Sequence, residues 1–504
     1  MRPTSRRSKE AFVRYFRKSG RHGFKRYMTG AALSSSDAAS PLENRSRSRF
    51  WSWAIGTAAI LVIGGTNNTY PLPRGLAEAI AAILLGAVIA SRRTVFHGWR
   101  THDRLVAAVP LVALLQLVPL PPNIWAMLPG REKIVALSLA VDGELGWRPV
   151  TLNIEATWRS LLFFLVPATF YVAVRTGSPE RIRAIFSGVA IAFATAVGMA
   201  VLQIAGIEWA YPFADGRADR AYAIGFFTNH NHQATFLLIG FVMVCGLLSF
   251  YSLERMSPWR AKGSALMVGW REFVLGIVAT VAALLVYYAA SRAGVVLLAI
   301  SLPLVLIAWF APLLPDRKRL IAMVMIGALA VGSALSLLPF LSDGPLAAIA
   351  DRAALSSDRR FEIWSQALET ALRVMPMGSG FGTFRESYEM FEPLDLVGQL
   401  YVNHAHNDYL QVAIEGGLPG ILLIAFFGWQ WVRGTCAAWA APSGRAALLA
   451  RLGSTALFIV FLHSSIDYPA RTIAVAGLCG IAFALLARNE PGTRPHLASS
   501  KAGV

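Results

Sequence analysis

YVNHAHNDYLQVAIEGGLPG, residues 401–420, sets two histidines (His404, His406), Asn407, Asp408 and Tyr409 directly before a long apolar run. The run extends from Leu410 to Trp431, and a bilayer crossing needs about 20 such residues. Hydrocarbon penalises polar groups that sink into it, so the cluster is held at the mouth of a membrane helix. Polar residues at such a boundary are candidates for function.

Comparable apolar runs lie at 50–66, 74–91, 104–121, 157–175, 182–207, 233–253, 272–290, 294–312 and 319–341, and again at 446–465 and 472–488. With 410–431 they predict about twelve spans by the length criterion. Of 504 residues, 55% are hydrophobic and 15% charged, whereas soluble domains carry about 25% charged residues. A soluble globular protein is excluded, and the expected fold is an all-α, polytopic membrane helix bundle. Cys245, Cys436 and Cys479 all lie within or beside apolar segments, which gives neither a disulfide framework nor a CxxC metal signature. No cleavable signal peptide is expected, because the first apolar run starts near Phe50 and many follow.

The net charge of +18 is concentrated at the start of the chain, where thirteen Lys/Arg and three acidic residues precede Phe50. Aromatics interleave with these charges in AFVRYFRKSGRHGFKRYM, as suits an interfacial segment attracted to anionic lipid. A membrane-facing cytoplasmic tail accounts for the charge without nucleic acid as a partner. Alternate connections carry Arg92, Arg93, Arg100 and Arg104; Arg175, Arg181 and Arg183; Arg255, Arg260 and Lys262; Arg317, Lys318 and Arg319; Arg433 and Arg445; and Arg488 with Arg494. The excess of cations on one side places both termini in the cytoplasm. The expected organisation is a basic tail over 1–49, nine spans over 50–341, a large outside loop over 342–409, three spans over 410–488 and a cytoplasmic tail over 489–504.

Three outside loops follow. The first, 122–156, holds LPPNIWAMLPG, whose Trp125 is expected at the membrane interface. The second, 208–232, ends in TNHNHQ. The third is the longest, and long loops are uncommon unless functional. Inside it Ser357-Asp358 are expected to cap a helix, RRFEIWSQALETALRV, whose Phe361, Trp364, Leu368 and Leu372 recur at helical spacing. Arg359 and Arg360 then open that helix, where a cation opposes the dipole unless an anionic partner is present. Arg292, in the very short outside connection SRAG, runs against the charge bias: either it snorkels to the interface or it binds an anion bidentately. Gly378, Gly380 and Gly382 either form a plain turn or cradle phosphate with their amides. His230 and His232 either join His404 and His406 at a metal or serve other ends, and no Cys or acidic ligand at a strong spacing supports the metal. Imidazole as a group titrates near neutrality, and His406 is of the residue type suited to take a proton from an attacking hydroxyl.

RRFEIWSQAL, MGSGFGTF and HAHNDYLQVAIEGGLPG together resemble the signature region of the O-antigen ligase and polysaccharide polymerase superfamily, with SRAG at 291–294 and PVTLNIEATW fitting its upstream pattern. The resemblance covers most of residues 50–490 and is most specific over 356–420; the basic tail has no counterpart in it. It implies a GT-C-like bundle and a metal-independent glycosyltransferase that needs no cofactor. The implied donor is an undecaprenyl-pyrophosphate-linked glycan, and the implied acceptor is a glycan or lipid A core. The implied place is the bacterial inner membrane with a periplasmic active site in cell-surface polysaccharide biosynthesis.

Carried over by position, the resemblance makes Arg292 and Arg360, or the neighbouring Arg359, the pyrophosphate ligands. It makes His406, or the neighbouring His404, the catalytic histidine, with Asn407, Asp408, Tyr409 and Glu415 in support. The choice between polymerase and ligase stays open, with LQLVPLPPNIWAMLPGRE leaning toward an exopolysaccharide polymerase. The alternative from another class is a small-anion, bicarbonate-like transporter, which keeps its site near the membrane midplane.

Overall fold

The computed structural model describes residues 41–66, 70–91, 99–213, 222–251, 270–310, 347–395, 401–442 and 444–489, and the single positions 220, 397 and 398. The ninth apolar run, 319–341, lies outside the described residues, as do Arg92, Arg93, Arg255, Arg260, Lys262, Arg317, Lys318, Arg319 and Arg494. Residues 50–504 form one compact unit and residues 1–49 another.

The helices are α1 (Pro41–Ile63), α2 (Pro71–Ser91), α3 (Thr101–Gln116), α4 (Pro122–Ala126), α5 (Glu132–Asp142), α6 (Ile154–Arg175), α7 (Pro179–Ile204), α8 (His230–Phe250), α9 (Trp270–Tyr288), α10 (Arg292–Phe310), α11 (Ala347–Val374), α12 (Phe384–Phe391), α13 (Asp408–Ala440), α14 (Arg445–His463) and α15 (Ile473–Arg488). The described strands β1 (Pro119–Leu120) and β2 (Arg148–Pro149) form one short antiparallel pair. Seven described helices (α2, α6, α7, α8, α10, α13 and α14) are long and apolar enough to cross a membrane, and two shorter apolar segments lie at Phe273–Tyr288 and Ile473–Arg488. The fold is therefore that of a mostly helical, multi-pass membrane protein.

Side-chain caps start several of these helices: Asn153 accepts from Ala156 N, Ser178 from Arg181 N ahead of Pro179, and Asn229 from Asn231 N. α8 is apolar all round and 89% buried over its spanning window, which marks it as a core helix rather than a lipid-facing one. α15 packs against α6 and α14. Lipid is as apolar as leucine, so helices in a bilayer associate through close packing at small residues. Gly480 shows this on α15: a Cβ there would lie 2.2 Å from the Pro167 carbonyl oxygen of α6.

The stretch 347–405 and the start of α13 share a small core of Ala367, Ala371, Val374, Phe384, Tyr388, Ala405 and Ile414. The stretch 122–156 is tied to it by hydrogen bonds from Leu152 N to Ser379 O, Lys133 Nζ to Met390 O and Asn153 Nδ2 to Glu386 Oε1. Two sequence expectations are corrected here. α11 begins at Ala347, so Ser357-Asp358 lie inside it rather than at its start; the Ala-rich stretch before them carries no breaker, and the helix runs through. Arg359 and Arg360 are therefore mid-helix, and the argument from the helix dipole does not apply to them. Trp125 does not present its ring to the surroundings as an interface anchor would but is 2% exposed, because its Nε1 donates to Pro149 O and the guanidiniums of Arg131 and Arg148 lie over its ring. On α11, Phe361, Leu368 and Leu372 are exposed, while the helix packs through the smaller Ala367 and Ala371.

α13 is broken at Gly417, where φ is 57° and ψ is −150°, two residues before Pro419. A break frees carbonyls that the membrane boundary would leave unsatisfied. The Gly-rich turn supplies the missing donors: Ser379 N bonds to Ile414 O and Gly380 N to Glu415 O, each at 2.9 Å, while Leu418 N returns to Pro376 O at 2.8 Å. Gln116 ties α3 into the same joint, donating from Nε2 to Glu415 O and accepting from Phe381 N. The amides of Ser379, Gly380 and Phe381 are thus engaged by protein, and the plain-turn reading holds over a phosphate cradle. A Cβ at Gly417 would lie 2.3 Å from Pro376 O. Gly417→Ala is expected to cost about 2 kcal/mol or more through strain and clash and to lower the melting temperature of the detergent-solubilised protein. Gly428→Ala, on the same helix with open space around it, should be neutral or stabilising.

Candidate active site

Four chain segments meet at one end of the bundle: the start of α8, the first described exposed turn of α11, the 404–415 stretch, and the connection Ser464–Thr472 between α14 and α15. Asn407 makes the corner that begins α13, its Oδ1 accepting from Tyr409 N at 3.0 Å and Leu410 N at 3.1 Å. Its Nδ2 donates to Ser465 O, the Tyr409 hydroxyl to Phe461 O, and the Ser464 hydroxyl to Asp408 Oδ2. These three supporting residues clip the start of α13 to the end of α14.

The corner turns the backbone of His406 into the left-handed region, at φ 49°. Trp364 of α11 holds it there by donating from Nε1 to His406 O at 3.3 Å. The imidazole Nδ1 lies 3.2 Å from Asp467 Oδ1, with the histidine side chain 31% exposed and the aspartate 1%. Nδ1, facing a carboxylate, carries the proton; in neutral His406 this leaves the Nε2 lone pair free. Asp467 also accepts from Asn231 Nδ2 at 2.8 Å and from Tyr468 N at 3.0 Å. Burial alone would raise the Asp467 carboxyl, but the hydrogen bond from His406 and the nearby imidazolium charge hold it well below the usual carboxylate range. It is a fixed anion at neutral pH.

Arg360 stands one turn before Trp364 on α11, and its Nη1 donates to Ile466 O at 3.3 Å, beside Asp467. The side chain of Arg359, the next residue on the helix, lies outside the described residues. Arg292 opens α10 just after the turn that ends α9, and this turn is joined to the cluster through His230, whose Nδ1 lies 2.9 Å from Ala289 O.

Beneath His406 sits a second layer. Arg471 pairs with Asp408 (Nε to Oδ1, 3.3 Å) and with Glu415 (Nη1 to Oε2, 3.1 Å). Gln411 donates to Glu415 Oε1 at 3.1 Å and lies 3.2 Å from His404 Nδ1. His404 packs on the Tyr468 ring at 4.2 Å between centroids. Burial pushes the His404 imidazole down to about 3, with the Arg471 cation acting in the same direction. His404 is thus neutral, and both histidines are part-buried. Burial, aided by the Asp467 charge, raises the Tyr468 hydroxyl, so the ring that both histidines contact stays un-ionised.

The arrangement combines a carboxylate-oriented imidazole, a guanidinium one residue from that carboxylate, and a position at helix ends rather than mid-span. It suits proton abstraction beside a developing anion. Among the described residues, no three His, Cys, Asp or Glu side chains are grouped to hold a metal.

Residues 277–425 match the family model Wzy_C, described as O-Antigen ligase. The match makes this part of the chain O-antigen ligase-related and supports a membrane function of the ligase or polymerase type. It takes in Arg292, Arg360, His404, His406 and Glu415. No curated protein matches the chain. Asp467, Tyr468 and Arg471 lie beyond the ligase-matched span, and sequence reasoning missed them. A signal for them existed: SSIDYPAR sets an aspartate and an arginine in a short connection between two apolar runs, as SRAG sets Arg292.

Because His404 stays neutral when folded but titrates at about 6.5 when unfolded, the unfolded chain binds the extra proton. The His404 contribution to stability should therefore fall as pH drops from about 6.5 toward 3, and the difference in melting temperature between wild type and His404→Gln should shift in favour of the variant over that range. The Asp467 contribution, from a depressed carboxyl, is present above about 3.9 and is lost only below it.

Proposed function

We propose that this protein transfers a glycan from an undecaprenyl-pyrophosphate carrier to an acceptor hydroxyl at the periplasmic face of the bacterial inner membrane. The observation that carries the reading is the His406–Asp467 pair with Arg360 anchored on the adjacent Ile466 carbonyl. The acceptor oxygen attacks the anomeric carbon, and its proton passes to His406 Nε2. The bond from that carbon to the pyrophosphate oxygen breaks, and the pyrophosphate leaves with the electron pair. Asp467 holds the imidazole in the competent tautomer and stabilises the imidazolium that forms. Arg360 and Arg292 stabilise the charge growing on the leaving group, where a guanidinium fork suits phosphate oxygens.

A donor with a polyprenyl tail in lipid and a glycan in water requires a site at the boundary, and both termini in the cytoplasm put that boundary on the outer side. Twelve spans and a GT-C-like arrangement complete the proposal, with the acceptor being either a growing repeat-unit chain or lipid A core. Small-anion transport is not favoured, since the polar cluster sits at the ends of α8, α13 and α14 rather than within them.

The assay is glycan transfer from purified lipid-linked donor in detergent, with chelator present. His406→Ala should abolish transfer while membrane insertion is retained. Asp467→Asn should lower kcat by about 100-fold with little change in KM, as loss of an orienting partner does. Normal glycan output from His406→Ala would sink the mechanism, and a requirement for a divalent metal would redirect attention to the histidines.

Arg292→Lys and Arg360→Lys keep the charge but lose the planar fork. Each is expected to cost about 1.5–3 kcal/mol, or about 10- to 100-fold in rate, the value of a charge-assisted hydrogen bond. Full activity of both lysine variants would reduce the two arginines to interface anchors.

A further inference from the structure

Among the described residues, the non-glycine backbones with positive φ are Ala290 (φ 53°) and His406 (φ 49°). Side chains with a Cβ hold that conformation only where their surroundings over-determine it, and such positions cluster at functional sites. Ala290 stands two residues before Arg292, and His406 is the proposed base. The start of α8 reaches both places: His230 contacts Ala289, the residue before Ala290, and Asn231 contacts Asp467, the partner of His406.

His230 Nδ1 lies 2.9 Å from Ala289 O. A carbonyl only accepts, so Nδ1 carries the proton and donates. The Tyr222 ring stacks on this imidazole at 4.8 Å, and Ala223 N adds a bond to Tyr288 O at 3.4 Å. The turn that ends in Arg292 is thus gripped from the second outside loop and from α8. One residue on, Asn231 Nδ2 donates to Asp467 Oδ2 at 2.8 Å, and Asp467 Oδ1 meets His406. Asn229 Oδ1 caps the helix at Asn231 N (2.8 Å), and Thr235 Oγ1 donates to Asn231 O and contacts His463 Nδ1. Successive residues on a helix point about 100° apart, which is how adjacent positions reach two different partners.

We infer that His230 and Asn231 are positioning residues with separate duties: His230 sets the turn that presents Arg292, and Asn231 sets the Asp467–His406 pair. Being neighbours on one capped helix start, they hold the phosphate-binding and proton-accepting halves of the site at a constant separation. The inference rests on the roles proposed above for Arg292 and His406. It also gives TNHNHQ, which drew notice as a possible metal motif, a purpose that uses no metal.

The test uses the full-length protein in detergent, with the lipid-linked donor and with inorganic pyrophosphate as competing probe. His230→Ala should raise donor KM and weaken inhibition by pyrophosphate by about tenfold, the usual scale for an orienting partner, while the pH profile of kcat stays in place. His230→Asn, whose amide nitrogen can replace Nδ1, should recover most of the loss. Asn231→Ala should instead lower kcat by about tenfold and move its acid limb to higher pH, because an Asp467 short of one donor holds the His406 proton more tightly. Its donor KM and pyrophosphate inhibition should not move.

Hydrogen exchange gives a readout free of turnover: His230→Ala should loosen amides at 289–295, and Asn231→Ala those at 464–468. If wild type transfers normally while both variants lose kcat and KM in parallel, with one pH profile and the same exchange pattern, the two residues are ordinary packing and the inference falls alone. A wild type that transfers nothing from lipid-linked donors overturns the proposed function and the inference together.

Discussion

A carboxylate kept charged inside protein depends on every donor around it, and one end of this bundle is arranged about one such group. Asp467 accepts from His406, from Asn231 and from the amide of Tyr468, and it is 1% exposed. Each donor comes from a different place: the approach to α13, the start of α8, and the last connection. An ionised carboxylate without partners would cost several kcal/mol in such surroundings, so these segments are held together by the need to satisfy it. The strain at His406 and the clips from Asn407, Asp408 and Tyr409 follow from the same requirement.

Charge is apportioned with equal care below the surface. Arg471 faces two carboxylates, Asp408 and Glu415, and its charge is used within the protein. Arg360 has a carbonyl, Ile466 O, as its neighbour. A carbonyl orients a guanidinium without cancelling its charge, whereas a carboxylate does both. That difference separates the arginine that assembles the site from the arginine suited to an external anion. The same cation helps keep His404 neutral, so two histidines two residues apart differ in character.

Much of this was legible in the chain. Apolar runs of bilayer length marked the helices, and the histidines abutting Leu410 marked the site, because both signals are local. SRAG and RRFEIW stood out by charge in unlikely places. What stayed hidden depends on partners distant in sequence. Asp467 looked like a lone acid in a short turn until α8 and the 404–407 corner were brought to it. The Gly-rich turn left a plain turn and a phosphate cradle both open, because glycines that free amides for phosphate equally free them for a broken helix; the break at Gly417 decides which. Trp125 was expected at an interface on its residue type, yet Pro149 O and two arginines give its indole a buried home. Ser357-Asp358 carried a capping signal, and helix-compatible residues before them overrode it.

The site is distributed along the chain in a way that bears on biogenesis. During synthesis the segments emerge in order, and the residues that orient His406 and neutralise Asp408 and Glu415 come in the connection between the last two helices. Until α14 and α15 have been inserted, Asp408 and Glu415 lack their cation and His406 lacks its carboxylate. A nascent chain therefore holds His404, His406, Arg292 and Arg360 before the residues of the last connection have emerged. Completion of the final hairpin is the event that brings Asp467, Tyr468 and Arg471 to the residues they pair with.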